Sequence, residues 1–308
     1  VHGTLLPGKS QCVQYTVIVQ EGNKGAAVPV ATGEAVYGAL PHIRFAGTER
    51  INDRALTLFM QSVFRQTEFC ARAKNYAGPF IGVRDIFQQL EASLMWIPQY
   101  SRRKITEALG FIGENGRAPR QYSYPSADGV APEMDLREFI DQGLWIITTV
   151  YEYLCFTGDA SILHVPCGYY KIEGDSVGLS TQRDSVLAHL LRIADYLISN
   201  IDAKTGCLRI LYGDWNDALD GLGASSDSSQ KFGSGVSVMA TLQLYRNLAE
   251  LSEILRMTGD CEERIARFDT VRENIKNGLR QNAIVRNADG ERKIVHGWGD
   301  GVSHKVAS

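Results

Sequence analysis

No run of eighteen apolar residues occurs anywhere in this 308-residue chain, so no segment has the length and apolar character of a membrane-spanning helix. An excess of one charge is also missing. Lys and Arg number 32 against 35 Asp and Glu, a formal net charge of −3, and the basic residues are scattered. Neither nucleic acid nor an anionic membrane surface is expected as a partner. The six cysteines, Cys12, Cys70, Cys155, Cys167, Cys207 and Cys261, include no Cys-x-x-Cys pair and lie mostly in apolar stretches. Such spacing argues against a zinc site or a disulfide framework and for buried, reduced thiols, the pattern of a cytoplasmic protein. The six histidines show no metal-ligand spacing, and Gly-x-Ser-x-Gly and Walker sequences are absent. No metal and no cofactor are therefore expected.

What is present is a globular composition, 44% hydrophobic and 22% charged, in a chain long enough for a sizeable core. The chain has no initiator Met and stops without a helix end, so it reads as an internal piece of a longer protein. Residues 12–20, Cys-Val-Gln-Tyr-Thr-Val-Ile-Val-Gln, alternate and are rich in β-branched side chains after the Pro7-Gly8 turn signal. They read as the end of an all-β region. From about Asn52 the apolar period changes from two to 3.6, with Leu56, Phe59, Met60, Val63, Phe64 and Thr67 on one stripe. Helices are predicted over 53–73, 85–97, 101–113, 135–157, 181–200, 235–258 and 261–281. Without regular alternation of helices and apolar strands, a parallel α/β sheet is disfavoured and the body is mainly α. Thr157-Gly158-Asp159 and Thr258-Gly259-Asp260 close two helices in the same way: Gly takes the left-handed cap and Asp opens the next helix. That recurrence points to stacked helical hairpins, with long loops at 114–134, 164–180 and 206–234 as the expected place for a site.

The loop Leu211-Tyr-Gly-Asp-Trp-Asn-Asp-Ala-Leu-Asp-Gly-Leu-Gly223 gathers three carboxylates, Asp214, Asp217 and Asp220, with the amide of Asn216 and the indole of Trp215. Sugars need that mixture: an aromatic plate for C–H faces, polar groups for hydroxyls, and one acid to protonate a leaving oxygen. The bland alternative is an Asx-rich turn capping the next helix. A calcium loop fits worse, because Ala218 stands where an oxygen ligand is needed. A second cluster, Asn75 to Asp85 leading into Phe87-Gln88-Gln89, puts Arg84 and Asp85 at a helix start, where a guanidinium and a carboxylate suit vicinal hydroxyls. Asp85 as a first-turn acid and Arg84 as a surface charge are equally simple explanations. In Asp141-Gln142-Gly143-Leu144-Trp145, Asp141 reads as a first-turn acid and Trp145 as core. The Ser/Gly-rich run 221–235 reads as a solvated linker, with a mobile flap as the functional alternative.

In this order the segments resemble the glycoside hydrolase family 94 phosphorylases over nearly the whole chain, to about residue 285. The strongest element is Gly213-Asp214-Trp215-Asn216-Asp217, supported by Gly82-Val83-Arg84-Asp85 and Asp141-Gln142-Gly143-Leu144-Trp145. The wording Tyr76 to Gln89 and Gly116-Arg-Ala-Pro-Arg-Gln-Tyr-Ser-Tyr124 is most similar to the 1,2-β-oligoglucan phosphorylases. The resemblance implies an incomplete (α/α)6 toroidal barrel over 41–308, preceded over 1–40 by the end of a β-sandwich domain and linker. It implies inverting phosphorolysis of β-linked glucooligosaccharides to α-glucose 1-phosphate, with inorganic phosphate as co-substrate and Asp217 as general acid. Trp215 and Asn216 would shape the site; Arg84 and Asp85 would hold the sugar, with Asp141 a further candidate. Gln89 stands where many relatives have a sugar-holding Asp, so substrate preference is not carried over from them. Phosphate ligands are expected beyond Ser308, a homodimer is common among relatives, and seven helices of about twelve would leave this piece inactive by itself. An inverting hydrolase or glycosyl-transferring relative on the same barrel, or a non-catalytic carbohydrate-binding module, are the competing expectations.

Overall fold

The periodicity that marks the helices in the sequence is realised in all seven. In the computed structural model, which describes residues 53–72, 78–259, 262–286 and 288–302, they are α1 (Asp53–Arg72), α2 (Val83–Ser93), α3 (Pro98–Leu109), α4 (Gln142–Thr157), α5 (Val186–Ser199), α6 (Val238–Thr258) and α7 (Glu262–Asn282). The β-rich stretch at 12–20 and the expected β-sandwich remnant lie outside the described residues. The described residues from Ser62 onward form one compact unit.

Within that unit α2, α4 and α6 pack side by side, while α3 covers α2 and α4, α5 covers α4 and α6, and α7 covers α6. The core follows from that layering. Val83, Phe87 and Leu90 of α2 meet Leu144, Ile147 and Val150 of α4 and Leu244, Leu248 and Leu251 of α6 in one continuous apolar cluster. This is the mainly α, helical-hairpin architecture expected of an incomplete (α/α)6 barrel. Two helices end as their sequences direct: Gly158 (φ +66°) and Gly259 (φ +71°) take the left-handed cap at the ends of α4 and α6, a conformation that costs a residue with a Cβ. Asp159 then accepts a hydrogen bond from the Ser161 amide at 3.2 Å and caps the adjoining 3-10 turn.

Two boundaries differ most from expectation. α4 starts at Gln142 and not near 135, because Met134–Asp135 (β3) is taken into a small antiparallel sheet with Gln121–Tyr122 (β2), itself paired to Ile81–Gly82 (β1). The stretch predicted as loop at 164–180 and as helix from 181 is instead a hairpin, β4 (Pro166–Glu173) with β5 (Ser176–Ser185), before α5 begins at Val186. The remaining strands are short: β6 (Val236–Ser237) pairs with β9 (Gly297–Trp298), and β7 (Ile284–Arg286) with β8 (Arg292–Ile294).

The cysteines correct another expectation. Cys167 and Cys207 are buried, but Cys70 and Cys155 are exposed on α1 and α4, and Cys12 and Cys261 lie outside the described residues. No described helix is long and apolar enough to cross a membrane. Among the described residues no group of three His, Cys, Asp or Glu side chains is placed to hold a metal ion.

Candidate active site

Three helices begin at the same place. Arg84 is the second residue of α2, Asp141 is the N-cap residue of α4, and Ser237 is the N-cap residue of α6. The Gly213–Asp217 segment lies where these N-termini meet. The positive ends of three helix dipoles thus face a turn rich in carboxylates.

Arg84 is the hub. Its Nη1 donates to Asp141 Oδ2 at 3.1 Å and to the Asp214 carbonyl at 2.9 Å, and its backbone amide donates to Gln142 Oε1 at 2.9 Å. Asp141 is fully buried, and its carboxylate also accepts from Trp145 Nε1 at 3.0 Å and Gln142 Nε2 at 3.3 Å. Burial pushes the Asp141 carboxyl above the ordinary carboxylate range, and the Arg84 charge and the Trp145 and Arg84 hydrogen bonds only partly oppose this. The sequence offers Asp141 as a sugar ligand. In the structure it has no exposed surface, and its oxygens are bonded to Arg84 of α2 and to Gln142 and Trp145 of α4.

Arg84 Nη2 lies 4.0 Å from Asp217 Oδ1. The two side chains differ sharply in exposure, 9% for Arg84 and 78% for Asp217. A fixed guanidinium therefore stands beside a carboxyl that is open to an incoming molecule. Trp215, 56% exposed, presents its indole on the same turn. Asn216 faces inward along the chain: its Oδ1 accepts from the Ala218 amide at 3.2 Å and caps the short 3-10 turn Asp217–Leu219.

Asp85 and Gln89, one and five residues along α2 from Arg84, are not brought to this point. They are half-buried and line a groove of about 360 Å³ with Gln66, Thr67 and Cys70 of α1. The structure thus unites Arg84, Asp141, Trp215, Asn216 and Asp217, and places Asp85 and Gln89 on another side of α2.

Several participants are missing from the sequence-based set. Phe139 runs beside the turn, where the Ile140 amide donates to the Gly213 carbonyl at 3.0 Å and the Tyr212 amide to the Glu138 carbonyl at 3.0 Å. Its ring is covered by Arg84 (5.9 Å) and Arg120 (4.8 Å), and it packs against Tyr212 with ring centres 5.2 Å apart. Arg120 and Arg137 both bind Asp135, at 3.1 and 2.6 Å. Burial alone would push that carboxyl up, but the hydrogen bonds from Arg137 and Arg120 outweigh it and bring it down to about 2. Asp220 goes the other way: burial, then the nearby Asp217 charge, raise it, against Arg120 and Arg137. Leu211 holds the left-handed conformation at φ +58°, a strained one for a residue with a Cβ. Gly223 packs against its carbonyl, where any Cβ at 223 would lie 1.8 Å from Leu211 O.

The Ser/Gly run after this turn is folded and not linker-like. Asp300 accepts from the amide and hydroxyl of Ser234 at 3.1 and 2.6 Å and from those of Ser226 at 3.3 and 3.2 Å. Chiefly through the Ser234 hydroxyl, this brings the Asp300 carboxyl down to about 2. Because the folded value is depressed, the anchor's contribution is complete above the ordinary Asp range and is lost only as pH falls through about 2. Asp300→Ala is expected to speed limited proteolysis between 224 and 234 at neutral pH by roughly tenfold. An unchanged cleavage rate would show that the loop is held by other contacts.

Solabiose phosphorylase of Paenibacillus borealis is 30% identical over 195 residues, which cover 63% of this chain and 22% of that protein. The chain thus spans about a fifth of the length of that relative. Solved structures with a partial likeness include a Streptococcus pneumoniae metal-independent α-mannosidase in a non-productive complex with α-1,6-mannobiose, with a TM-score of 0.48 and 11% identity over 83% of this chain and 69% of that one. Another is a family 105 glycoside hydrolase of C. acetobutylicum ATCC 824, with a TM-score of 0.49 and 10% identity over 82% and 66%. The sequence signature of the glycosyl hydrolase 94 superfamily catalytic domain matches residues 60–294, and the chain belongs to that superfamily.

Proposed function

We propose that the protein containing this chain phosphorolyses β-linked glucooligosaccharides, β-1,2-linked ones by preference, with inversion to α-glucose 1-phosphate. Asp217 is the general acid and Arg84 the sugar-holding cation. The observation that carries this is the 4.0 Å approach of an exposed Asp217 to an Arg84 that Asp141 and the Asp214 carbonyl hold in place.

Charge accounting is compatible with phosphorolysis. An inverting hydrolase needs a second carboxylate across the sugar ring, about 6.5–9.5 Å from the acid, to deprotonate water. Asp141 and Asp214 are fully buried, and Asp220 belongs to the same short turn as Asp217. Phosphate is already an anion and needs no base, so one acid suffices. The glycosyl oxygen leaves with the Asp217 proton while phosphate attacks the anomeric carbon from the opposite face. The phosphorylase activity of the Paenibacillus borealis relative points the same way.

The test uses the full-length protein with β-1,2-glucooligosaccharides and follows α-glucose 1-phosphate. Turnover is expected to depend on phosphate and to be saturable in it. Release of free glucose at the same rate without phosphate would select hydrolysis instead.

A further inference from the structure

Asp214 is fully buried, and none of its polar atoms reaches the space in front of Asp217. Its side chain nevertheless joins the elements that carry the two groups proposed to act. Oδ1 accepts from the Asn216 amide at 2.8 Å. Oδ2 accepts a short hydrogen bond from the Ser237 hydroxyl, the N-cap of α6, which in turn accepts from the Ala240 amide at 3.0 Å. Its carbonyl accepts from Arg84 Nη1 at 2.9 Å. α6 is thereby linked through one residue to the Arg84 side chain on one side and to the start of the 215–217 turn on the other.

The turn itself is wound by two successive side-chain-to-amide bonds, Asp214 to Asn216 and Asn216 to Ala218 at 3.2 Å. Local bonds of this kind set the direction of the chain beyond them. Here that direction delivers Asp217 to within 4.0 Å of Arg84 Nη2. Asn216 and Ala218 are not buried, so the inner end of the turn depends on Asp214, and Asp214 depends on Ser237 as donor to Oδ2.

We infer that Asp214 and Ser237 are positioning residues for the reaction: anchored on α6, they fix the distance between the acid Asp217 and the sugar-holding Arg84. The inference rests on the phosphorolysis proposed above. A residue with this role does not bind substrate; its loss misplaces the acid, and a displacement of about 1 Å costs about 10²-fold in rate.

The experiment compares Ser237→Ala with Ser237→Thr, and Asp214→Ala with Asp214→Asn, in the full-length protein. Each has kcat and KM for oligosaccharide and phosphate measured, alongside thermal denaturation to give the folded fraction. Ser237→Ala removes the donor to Oδ2; Ser237→Thr keeps both the hydroxyl and the N-cap. Ser237→Ala is expected to lower kcat per folded enzyme by about 10- to 100-fold with little change in KM for phosphate. Ser237→Thr should recover most of that rate, and Asp214→Ala should lose more than Asp214→Asn. If Ser237→Ala and Asp214→Ala lost activity only in proportion to the unfolded fraction, or Ser237→Thr failed to recover the rate while folding normally, the positioning role would be overturned. Absence of phosphate-dependent turnover in the unsubstituted protein would instead overturn the proposed reaction, so the two failures are distinguishable.

Discussion

Asp217→Asn is expected to lower the phosphorolysis rate of the full-length protein by roughly 10³-fold while leaving KM for the oligosaccharide close to its original value, the effect of removing a general acid. The amide is nearly isosteric and keeps hydrogen-bonding capacity, so the sugar should still bind. What it cannot do is give up a proton to the departing oxygen. A substrate that needs no such proton separates this role from any other. With β-glucosyl fluoride and phosphate, fluoride leaves unaided, and the variant should run within a few-fold of the parent. Equal loss on both substrates would mean that Asp217 holds the sugar or the turn and does not protonate the leaving group. The exposure of Asp217 is consistent with the expected folding outcome: its side chain is 78% accessible and supports no packing, so the variant should melt with the parent. A binding module would keep its affinity and show no rate to lose.

What the sequence revealed of this site is the part written in contiguous residues. Gly213 to Asp217 reads as a sugar-handling turn because its residue types are themselves the chemistry, and Arg84 at a helix start reads as a candidate fork. Most of the helices are legible because an apolar stripe runs against a polar remainder, and α4 because it is apolar nearly all round. Contacts made across sequence distance were not legible. Asp141 looks like any first-turn acid until Arg84, 57 residues earlier, is found at 3.1 Å. Asp85 is the next residue after Arg84, yet a helix turns about 100° per residue, so the neighbour in sequence looks into the α1 groove and not at Asp217. Ser237 carried its own signal as an N-cap ahead of an apolar helix, but nothing local shows that its hydroxyl also serves a carboxylate 23 residues away.

The β4–β5 hairpin is a different kind of miss. Its two-residue turn, Gly174-Asp175 between alternating strands, is a recognised hairpin signal, and Gly174 takes φ +58° as that turn requires. The polar content of β5, mostly half-exposed, hides the strand from any search for apolar runs. The early start predicted for α4 has a tertiary cause: β3 has a partner strand in β2, and pairing outweighs a weak helical pattern over 135–141.

Arg84→Met should be the most disruptive single change to stability at the site. It removes the cation beside Asp141 and leaves a fully buried carboxylate with only Trp145 and Gln142 as donors. Breaking a buried pair in this one-sided way costs about 3–5 kcal/mol, a drop in Tm on the order of 10 °C for a domain of this size. The pH dependence of the loss identifies its cause. Burial already raises the Asp141 carboxyl above its unfolded value, with the Arg84 charge as the leading opposing influence. Without Arg84 the folded value moves further up. A carboxyl that holds its proton more tightly when folded favours the folded state at low pH, and that advantage disappears as pH rises through the folded value. The destabilisation of Arg84→Met should therefore be largest at neutral pH and shrink on acidification, as the raised carboxyl regains its proton. Adding Asp141→Asn to Arg84→Met should restore much of the lost Tm at pH 7, because the uncompensated charge is gone, while activity stays lost because nothing replaces the guanidinium beside Asp217. If the Arg84→Met variant melted within about 2 °C of the parent at every pH, no more than about 1 kcal/mol of stability would reside in this pair. In that case Arg84 would be held for binding alone, and Asp141 would have to be stabilised by its Trp145 and Gln142 hydrogen bonds.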